Sequence, residues 1–326
     1  MGVREKNYPM KQFPLVSIAL CTYNGEAHLA AQLDTLVKQT YQNLEIVVVD
    51  DDSTDSTYAV LEDYAARYPI FKLFKNERNI GFTANFERAV KLCQGELISL
   101  CDQDDIWDLR KIELQVAAIR DNIFIYHDSE FIHEDGTSMN KKMSGLMNLY
   151  HGDDPLAFLF SNSVSGHTVL MKRTLLDAAL PLKKGCFHDW WLAYVATNIG
   201  KIDFIPQALV KYRQHDKSET NILRLEREKD NYKLSSIQKY ENTLNWLSTC
   251  SGFKHNRNPA LIEKFYETFK ERADSYFSFR FALLLLAHWK SIFFTRKKSS
   301  ISKINYVRKQ FLGIKTKKLL NGTWMQ

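Results

Sequence analysis

The chain has 326 residues, of which 45% are hydrophobic and 13% aromatic, and its 44 Lys and Arg against 38 Asp and Glu give a formal net charge of +6. This composition predicts a globular protein with a large core and excludes a disordered or collagen-like chain. The five cysteines are scattered without CxxC spacing, which argues against a disulfide framework or a structural zinc site.

The charge is distributed unevenly along the chain. Residues 1–220 carry 23 basic and 30 acidic side chains, a net of −7, whereas residues 221–326 carry 21 and 8, a net of +13, and the two values sum to +6. A single core approaches its upper limit at roughly 250–300 residues. We therefore expect a first domain over residues 1–220 and a separate, basic and mainly helical region over residues 221–326.

In chain order, apolar runs at 15–20, 44–49, 71–74 and 97–100 alternate with helical patterns, such as the face formed by Leu29, Leu33 and Leu36. This βαβα alternation predicts a mostly parallel sheet with helices on both faces. Further strands are predicted at 124–126, 168–171 and 208–212, and a helix at 190–196. After Asn221 helical patterns replace the strands.

Polar clusters follow the first four predicted strands, at 21–25, 50–53, 76–79 and 102–105. Ligands of open α/β sheets bind outside the carboxyl ends of the strands, so these clusters should converge on one crevice. Neither a GxGxxG nor a GxxxxGK[ST] motif follows the first strand, which excludes a dinucleotide fingerprint and a P-loop there.

The cluster at 102–105 places Asp102, Asp104 and Asp105 within four residues. Carboxylates this close repel one another unless a cation lies between them, and hard oxygen ligands suit Mg²⁺ or Mn²⁺. The alternative is an acidic cap on a helix that begins near Ile106.

A second motif comprises residues 188–191, in which Asp189 is flanked by a histidine and two tryptophans. Burial in a partly apolar wall can shift the pKa of a carboxylate so that it acts as a general base. The alternative is that Asp189 caps a helix that buries the two tryptophans. At the end of the last predicted strand, Arg213 and His215 could meet a pyrophosphate or a metal ion.

Five motifs occur in one order along residues 14–220: 16–18 with 22–24, 49–55, 79–81, 102–107 and 188–191. This ordered set resembles family 2 glycosyltransferases of the GT-A fold, and the Asp-Gln-Asp-Asp-Ile-Trp form of 102–107 is most similar to bacterial rhamnosyltransferase-like members. The resemblance implies an α/β fold with a GT-A-type, Rossmann-like mixed sheet and helices on both faces. It does not extend to residues 221–326.

The resemblance also implies an inverting, metal-dependent transfer of a sugar, with rhamnose favoured. The donor would be a nucleotide-diphosphate sugar, and the acceptor a hydroxyl of a glycan or lipid-linked glycan in bacterial surface polysaccharide synthesis. Asp189 matches the catalytic base, and Asp102 and Asp104 match the DxD pair that binds Mg²⁺ or Mn²⁺, to which we add His215. The expected donor-binding residues are Thr22, Tyr23, Asn24, Asp50, Asp52, Asn79, Asp102, Gln103, His188, Trp190 and Arg213. Residues 82–85 lack the Arg that many relatives carry nearby.

Two other function classes fit parts of the sequence. Residues 50–54 match the Asp-x-Asp-x-Thr nucleophile motif of haloacid-dehalogenase-like phosphatases, although that family places the motif on its first strand. A non-catalytic nucleotide- or glycan-binding module is the other alternative, and the presence of both the DxD pair and Asp189 argues against it.

The region 221–326 sets apolar and aromatic side chains, as at 283–286 and 293–294, beside cations such as those at 296–298. This composition suits shallow insertion into an anionic leaflet, where each Lys or Arg adds about 1 kcal/mol. A helical bundle with a solvated basic face or a homo-oligomer surface is the alternative. Nucleic acid is not an expected partner, because basic charge alone is non-specific.

Two stretches bear on localisation. Residues 1–6 carry charges where a signal peptide needs an apolar run, and the apolar stretch 281–294 is interrupted by His288 and Lys290, short of the roughly 20 residues of a spanning helix. We therefore expect a cytoplasmic protein that docks on the inner face of the cell membrane.

Overall fold

The computed structural model describes residues 13–215 and 236–316. The predicted boundary at residue 220, the helical pattern predicted for 221–235 and the cations Lys317 and Lys318 lie outside these ranges. The strands are β1 Val16–Thr22, β2 Leu44–Asp50, β3 Phe71–Lys75, β4 Leu97–Cys101, β5 Ile106–Trp107, β6 Phe124–Ile132, β7 Ser138–Lys142, β8 Leu170–Lys172 and β9 Ile202–Arg213. The helices are α1 Glu26–Val37, α2 Thr57–Arg67, α3 Phe82–Leu92, α4 Lys111–Ile119, α5 Met143–Leu146, α6 Thr174–Ala179, α7 His188–Ile199, α8 Ser236–Ser251, α9 Pro259–Lys270, α10 Phe279–Ala287, α11 Trp289–Ile292 and α12 Ser300–Phe311.

The strands form one mixed sheet in the order β3-β2-β1-β4-β8-β6-β9-β5, with β7 paired to β6. Strands β1 to β4 pair in parallel, β8 runs antiparallel to both β4 and β6, and β9 is parallel to β6. This topology confirms the predicted mixed α/β sheet. Because β1, β2 and β4 are parallel neighbours, the loops after them meet at one edge of the sheet.

Apolar clusters cover both faces of the sheet, as the alternating pattern predicted. On one face Leu29, Leu33 and Leu36 of α1 are fully buried in a cluster with side chains of β1 and β2. On the other face α3 and α7 share a second cluster with buried side chains of the C-terminal helices, including Trp246 and Phe281. The C-terminal helices therefore pack into the same core as α7, where a buried large apolar side chain stabilises by about 1.5–3 kcal/mol.

The described C-terminal region is helical from α8 to α12, with local signals that explain its helix boundaries. Pro259 opens α9, and the Asn258 side chain caps it by accepting a hydrogen bond from the Leu261 amide at 3.1 Å. The Trp246 indole of α8 donates to the Leu159 carbonyl at 2.9 Å, which ties this region to the sheet domain. Across residues 13–215 and 236–316, every helix falls short of the length and apolar character that crossing a bilayer requires.

Several predicted boundaries differ from the structure. The predicted strand 208–212 is only the end of the twelve-residue β9. Residues 206 and 207 of β9 bulge out of register with β6, because Pro206 has no amide hydrogen to donate. A proline inside the segment argued against a strand, so the first half of β9 was not predicted. The predicted strand 168–171 begins with a 3-10 turn at Gly166–Thr168, and the predicted helix 190–196 extends over the whole of α7.

Candidate functional site

The loops after β1 and β2 are held together by side-chain hydrogen bonds. Thr22 Oγ1 donates to Asp50 Oδ2 at 2.8 Å. The Asn24 amide donates to Ser53 Oγ at 2.9 Å, and Asn24 Oδ1 accepts from the Thr54 amide at 2.9 Å. Asn24 adopts a positive φ of 46°, a conformation that Asn tolerates better than most residues. The structure thus brings the first two predicted clusters into contact.

The three aspartates after β2 have different surroundings. Asp50 is fully buried and accepts hydrogen bonds from Thr22 and from both the amide and the hydroxyl of Ser53. Asp52 has a positive φ of 63°, and its side chain is 42% exposed, with Lys75 Nζ at 3.9 Å. Asp52 is therefore the aspartate open to a ligand, and the buried, hydrogen-bonded Asp50 is poorly placed to act as a phosphatase nucleophile.

Asp51 organises the third cluster. Its carboxylate is buried and accepts from Asn76 Nδ2 at 2.5 Å and from the amides of Ile80 and Gly81, each at 2.9 Å. Gly81 has a φ of 86°, which favours glycine at the turn into α3. Asn79 is exposed at this turn, and its Oδ1 accepts from the Gly81 amide at 3.1 Å.

Gln103 joins the fourth cluster to the first. Its Oε1 accepts from the Tyr23 amide at 2.8 Å, and its Nε2 donates to the Tyr23 carbonyl at 3.0 Å. A Cβ atom at Gly25 would lie 2.4 Å from Gln103 Cδ, so a larger residue at position 25 would displace the Gln103 side chain from this contact. The Tyr23 side chain itself remains 46% exposed, which leaves its ring available to a ligand.

The end of β9 supports the acidic loop at 102–105. His215 Nε2 lies 2.8 Å from Asp104 Oδ2. The Arg213 amide donates to Asp105 Oδ1 at 3.0 Å, and Arg213 Nε donates to the Asp104 carbonyl at 2.8 Å. Arg213 Nη1 donates to the Glu134 carbonyl at 2.5 Å, and the residue is almost fully buried. In this structure the guanidinium positions the acidic loop.

A second group of three residues, which we call the deeper trio, consists of Asp102, Asp105 and His167. His167 Nδ1 is 3.6 Å from an oxygen of each carboxylate, and ligand atoms of all three residues lie within 4.8 Å of one another. Burial, followed by the charges of Asp104 and Asp102, raises the pKa of Asp105 well above its usual value. Asp105 belongs to the predicted acidic cluster but not to the expected metal ligands, and no local sequence pattern marks His167.

The donor atoms around the acidic loop fit a hard divalent cation. Asp102, Asp104 and His215 offer carboxylate oxygens and an imidazole, and their side chains are 38%, 18% and 13% exposed. Asp105 is fully buried. Among the described residues, the ligand atoms that lie within 4.8 Å of one another are those of Asp102, Asp105 and His167, and the contact of His215 with Asp104 adds two further donors on the same acidic loop.

Asp189 is the second residue of α7 and lies near enough to Asp102 for the charge of that carboxylate to act on it. Its Oδ1 accepts from the Trp190 amide at 2.6 Å and from Asn162 Nδ2 at 3.3 Å. Burial raises the pKa of Asp189 to about 7, and the negative charge of Asp102 contributes to the increase. A carboxyl group with this pKa can accept a proton near neutral pH.

The aromatic neighbours of Asp189 pack against protein groups. His188 is buried against Phe86, with ring centroids 4.3 Å apart, and a Cβ at Gly166 would lie 3.0 Å from its Nε2. Burial lowers the pKa of His188 to about 4, so the ring is neutral at pH 7. Trp190 Nε1 donates to the Phe158 carbonyl at 2.5 Å, and the indole lies 4.7 Å from that of Trp246 in α8.

Comparisons with known proteins agree on a family. The family model described as "Glycosyl transferase family 2" matches residues 17–179. An uncharacterized glycosyltransferase of Haemophilus influenzae is 28% identical over 224 residues, 65% of this chain and 69% of that protein. The Escherichia coli UDP-Glc:alpha-D-GlcNAc-diphosphoundecaprenol beta-1,3-glucosyltransferase WfgD is 32% identical over 188 residues, 56% of this chain and 71% of that protein. The chain spans only 59% of the length of an uncharacterized Mycobacterium tuberculosis relative that is 30% identical over 61% of this chain.

Solved structures share the fold. TarS 1–349 of S. aureus in complex with UDP-GlcNAc aligns with a TM-score of 0.59 at 16% identity, over 96% of this chain and 93% of that one. The mannosyltransferase PcManGT of Pyrobaculum calidifontis, in complex with GDP-Man and Mn2+, aligns with a TM-score of 0.51 at 15% identity, over 92% and 80%. At these identities the likeness concerns the fold.

Proposed function

Because the chain belongs to glycosyl transferase family 2 and has the GT-A fold, we propose that it catalyses an inverting transfer from a nucleotide-diphosphate sugar to a lipid-linked glycan. The observation that carries this proposal is the placement of Asp189, whose raised pKa suits a base, near enough to Asp102 of the acidic loop 102–105 for the charge of that carboxylate to act on it. A base on one side and carboxylates suited to a cation on the other are what a single in-line displacement needs.

In the proposed reaction, an acceptor hydroxyl attacks the anomeric carbon as Asp189 takes its proton. The bond from that carbon to the diphosphate oxygen breaks, and the nucleoside diphosphate leaves on the opposite face. Asp102, Asp104 and His215 would hold a Mg²⁺ or Mn²⁺ ion, which supplies positive charge to the diphosphate. The chain itself orients the base, through the Trp190 amide and Asn162, and the acidic loop, through Arg213.

The donor-side residues divide into contact and support roles in this proposal. Tyr23, Asp52 and Asn79 are exposed or partly exposed and would contact the nucleotide. The other residues expected to bind the donor would support the pocket. Thr22, Asp50 and Gln103 make internal hydrogen bonds that shape it. The remaining supporting residues are Asn24, His188, Trp190 and Arg213. Rhamnose remains the favoured sugar from the sequence motif, with uridine-diphosphate hexoses next because WfgD uses UDP-Glc.

We further propose that the C-terminal region docks on the inner face of the cell membrane, where a lipid-linked acceptor would be presented. The exposed side chains Phe279, Leu283 and Leu286 recur at i, i+4 and i+7 on α10, and Ile301 of α12 is 73% exposed. Exposed apolar side chains close to Lys290 and other cations suit an anionic lipid surface.

A panel of nucleotide sugars with Mg²⁺ or Mn²⁺ tests the enzymatic proposal. We expect one of dTDP-rhamnose, UDP-glucose or UDP-GlcNAc to raise the melting temperature in the presence of metal and to be hydrolysed slowly without acceptor. Stabilisation without hydrolysis or transfer would identify a binding module instead. If no nucleotide sugar stabilises or is consumed, the proposed function is wrong.

A further inference from the structure

A second concave site lies between the end of α5, the segment 296–299 and one side of α12. This cavity of about 670 Å³ is lined by five cationic side chains and by no carboxylate. The cations are Arg296, Lys297, Lys298, Lys303 and Lys309. So many like charges around one cavity favour an anionic ligand.

Two of the five cations are held by neutral partners. Arg296 Nη2 donates to the Phe160 carbonyl at 2.8 Å, and its guanidinium lies 4.2 Å from the centre of the Tyr306 ring. Lys297 Nζ donates to the Ser144 carbonyl at 2.8 Å. None of the ion pairs found within residues 13–215 and 236–316 includes any of the five cations. Their charge is thus uncompensated by the described carboxylates.

The N-terminal end of α12 adds to the positive potential. Ser299 caps this twelve-residue helix by accepting from the Ser302 amide at 3.3 Å, and both residues line the cavity. The N-terminus of a helix carries a partial positive charge and favours phosphate groups.

One wall of the same cavity is apolar. Leu146, Met147, Phe293 and Ile301 line it beside the lysines. A ligand that satisfies both walls must combine a multiply charged anion with a hydrocarbon chain.

A short chain segment links the cavity to Asp189. Ser161 lines the cavity, and its Oγ lies 2.6 Å from Thr295 Oγ1. The next residue, Asn162, donates to Asp189 Oδ1 at 3.3 Å. The residue in the wall of the cationic cavity and the residue that hydrogen-bonds to the proposed base are therefore consecutive in the chain.

We propose that this cavity binds the diphosphate of a prenyl-diphosphate-linked sugar, the acceptor of the proposed transfer, and the inference rests on that proposed function. Lys298, Lys303 and Lys309 contact the two phosphates, and the apolar wall receives the first prenyl units. The sugar then extends past Ser161 toward Asp189. No bond to either phosphorus breaks, so cationic side chains suffice to hold the group.

A kinetic experiment uses the full chain and the double variant Lys303→Gln/Lys309→Gln. The matched control, Lys254→Gln/Lys264→Gln, removes two charges from the C-terminal region at exposed positions that do not line the cavity. We expect the cavity variant to raise KM for a prenyl-diphosphate-linked GlcNAc by about tenfold or more, with donor hydrolysis unchanged. The octyl glycoside of the same sugar, which lacks phosphate, should be used equally by all three proteins. Equal KM changes in the cavity and control variants would overturn the proposal.

A binding experiment distinguishes lipid from free phosphate and does not depend on transfer. Without divalent metal, farnesyl diphosphate, inorganic pyrophosphate and farnesol are titrated into each protein by calorimetry. Farnesyl diphosphate should bind the wild type at least about tenfold more tightly than either partial ligand and lose that advantage in the cavity variant. Pyrophosphate binding as tight as farnesyl diphosphate would mean a free-phosphate site, and farnesyl diphosphate binding that is absent or insensitive to the variant would refute the site. Absence of donor hydrolysis in the wild type would instead refute the proposed function, independently of these results.

Discussion

The crevice at the strand ends and the cavity beside α12 have opposite charge, although we propose that each holds a diphosphate. The crevice presents the carboxylates of Asp102 and Asp104, whereas the cavity presents five cations and no carboxylate. A donor diphosphate gains negative charge as its bond to the sugar breaks, which favours a divalent cation held by carboxylates. An acceptor diphosphate keeps all its bonds, so lysines that neutralise a constant charge are enough.

Asp189 has a link to each of these regions, since the charge of Asp102 contributes to its raised pKa and its partner Asn162 follows Ser161 of the cavity. Its position at the start of α7 is set by the sheet domain, yet the Asn162 that contacts it follows a residue of the cationic cavity. Substitutions on the donor side should therefore weaken the binding of metal and nucleotide, and substitutions in the cavity should weaken the binding of the acceptor. Substitution of Asp189 should lower only the rate of transfer.

The largest effect is expected from Asp189→Asn. The amide cannot accept the acceptor's proton, so we expect transfer to fall by about 10²- to 10⁴-fold, while metal-dependent nucleotide affinity measured by calorimetry stays the same. Asp177→Asn on α6, an exposed aspartate, is the matched control and should leave transfer unchanged. Transfer that survives in Asp189→Asn would remove this residue from the role of base.

The next effect concerns the donor side. Asp104→Ala should weaken nucleotide-sugar binding in the presence of Mn²⁺ by about 10- to 100-fold, and His215→Ala should act in the same direction because the two side chains lie 2.8 Å apart. Calorimetry with and without Mn²⁺ measures the change, and Asp121→Asn provides an exposed control. Unchanged affinity in both variants would assign the metal to the deeper trio with His167 or to no site.

The parallel part of the sheet and its loops could be predicted from the sequence because their signals are local. Apolar runs alternate with helical faces, and the parallel pairing of β1 with β2 sets Thr22 directly beside Asp50. A rule about strand ends was therefore enough to place residues 28 positions apart in contact, as the hydrogen bond from Thr22 to Asp50 shows.

The remainder depended on tertiary contacts that leave no local pattern. His167 lies in a 3-10 turn and reaches Asp102 and Asp105 only through the fold. Lys111 opens α4, where a lysine is normally exposed, yet it is fully buried with its Nζ 3.0 Å from Ser99 Oγ. Trp190 follows Asp189 directly but packs on Trp246, since neighbouring residues of a helix point in different directions.

The pH dependence of transfer sharpens the role of Asp189. Burial raises the pKa of this carboxyl to about 7, so the group is protonated below that value and cannot act as a base. We expect kcat to fall about tenfold per pH unit as the pH drops below 7 and to level off above it. Donor binding measured over the same pH range controls for other titrations. A rate that is constant down to pH 5.5 would contradict the raised pKa.

The smallest expected effect tests whether the C-terminal region meets lipid. Leu283 of α10 is 65% exposed, and Leu109 in the sheet domain, 44% exposed, serves as the exposed leucine outside α10 for the control substitution. If α10 inserts its apolar face, Leu283→Ser should reduce co-sedimentation with anionic phospholipid vesicles by about three- to tenfold, whereas Leu109→Ser should not. Added salt should weaken vesicle binding in all variants, because the neighbouring cations contribute electrostatically. Equal vesicle binding by Leu283→Ser and the wild type, together with a change in oligomeric state by analytical ultracentrifugation, would instead assign this face to a second copy of the chain.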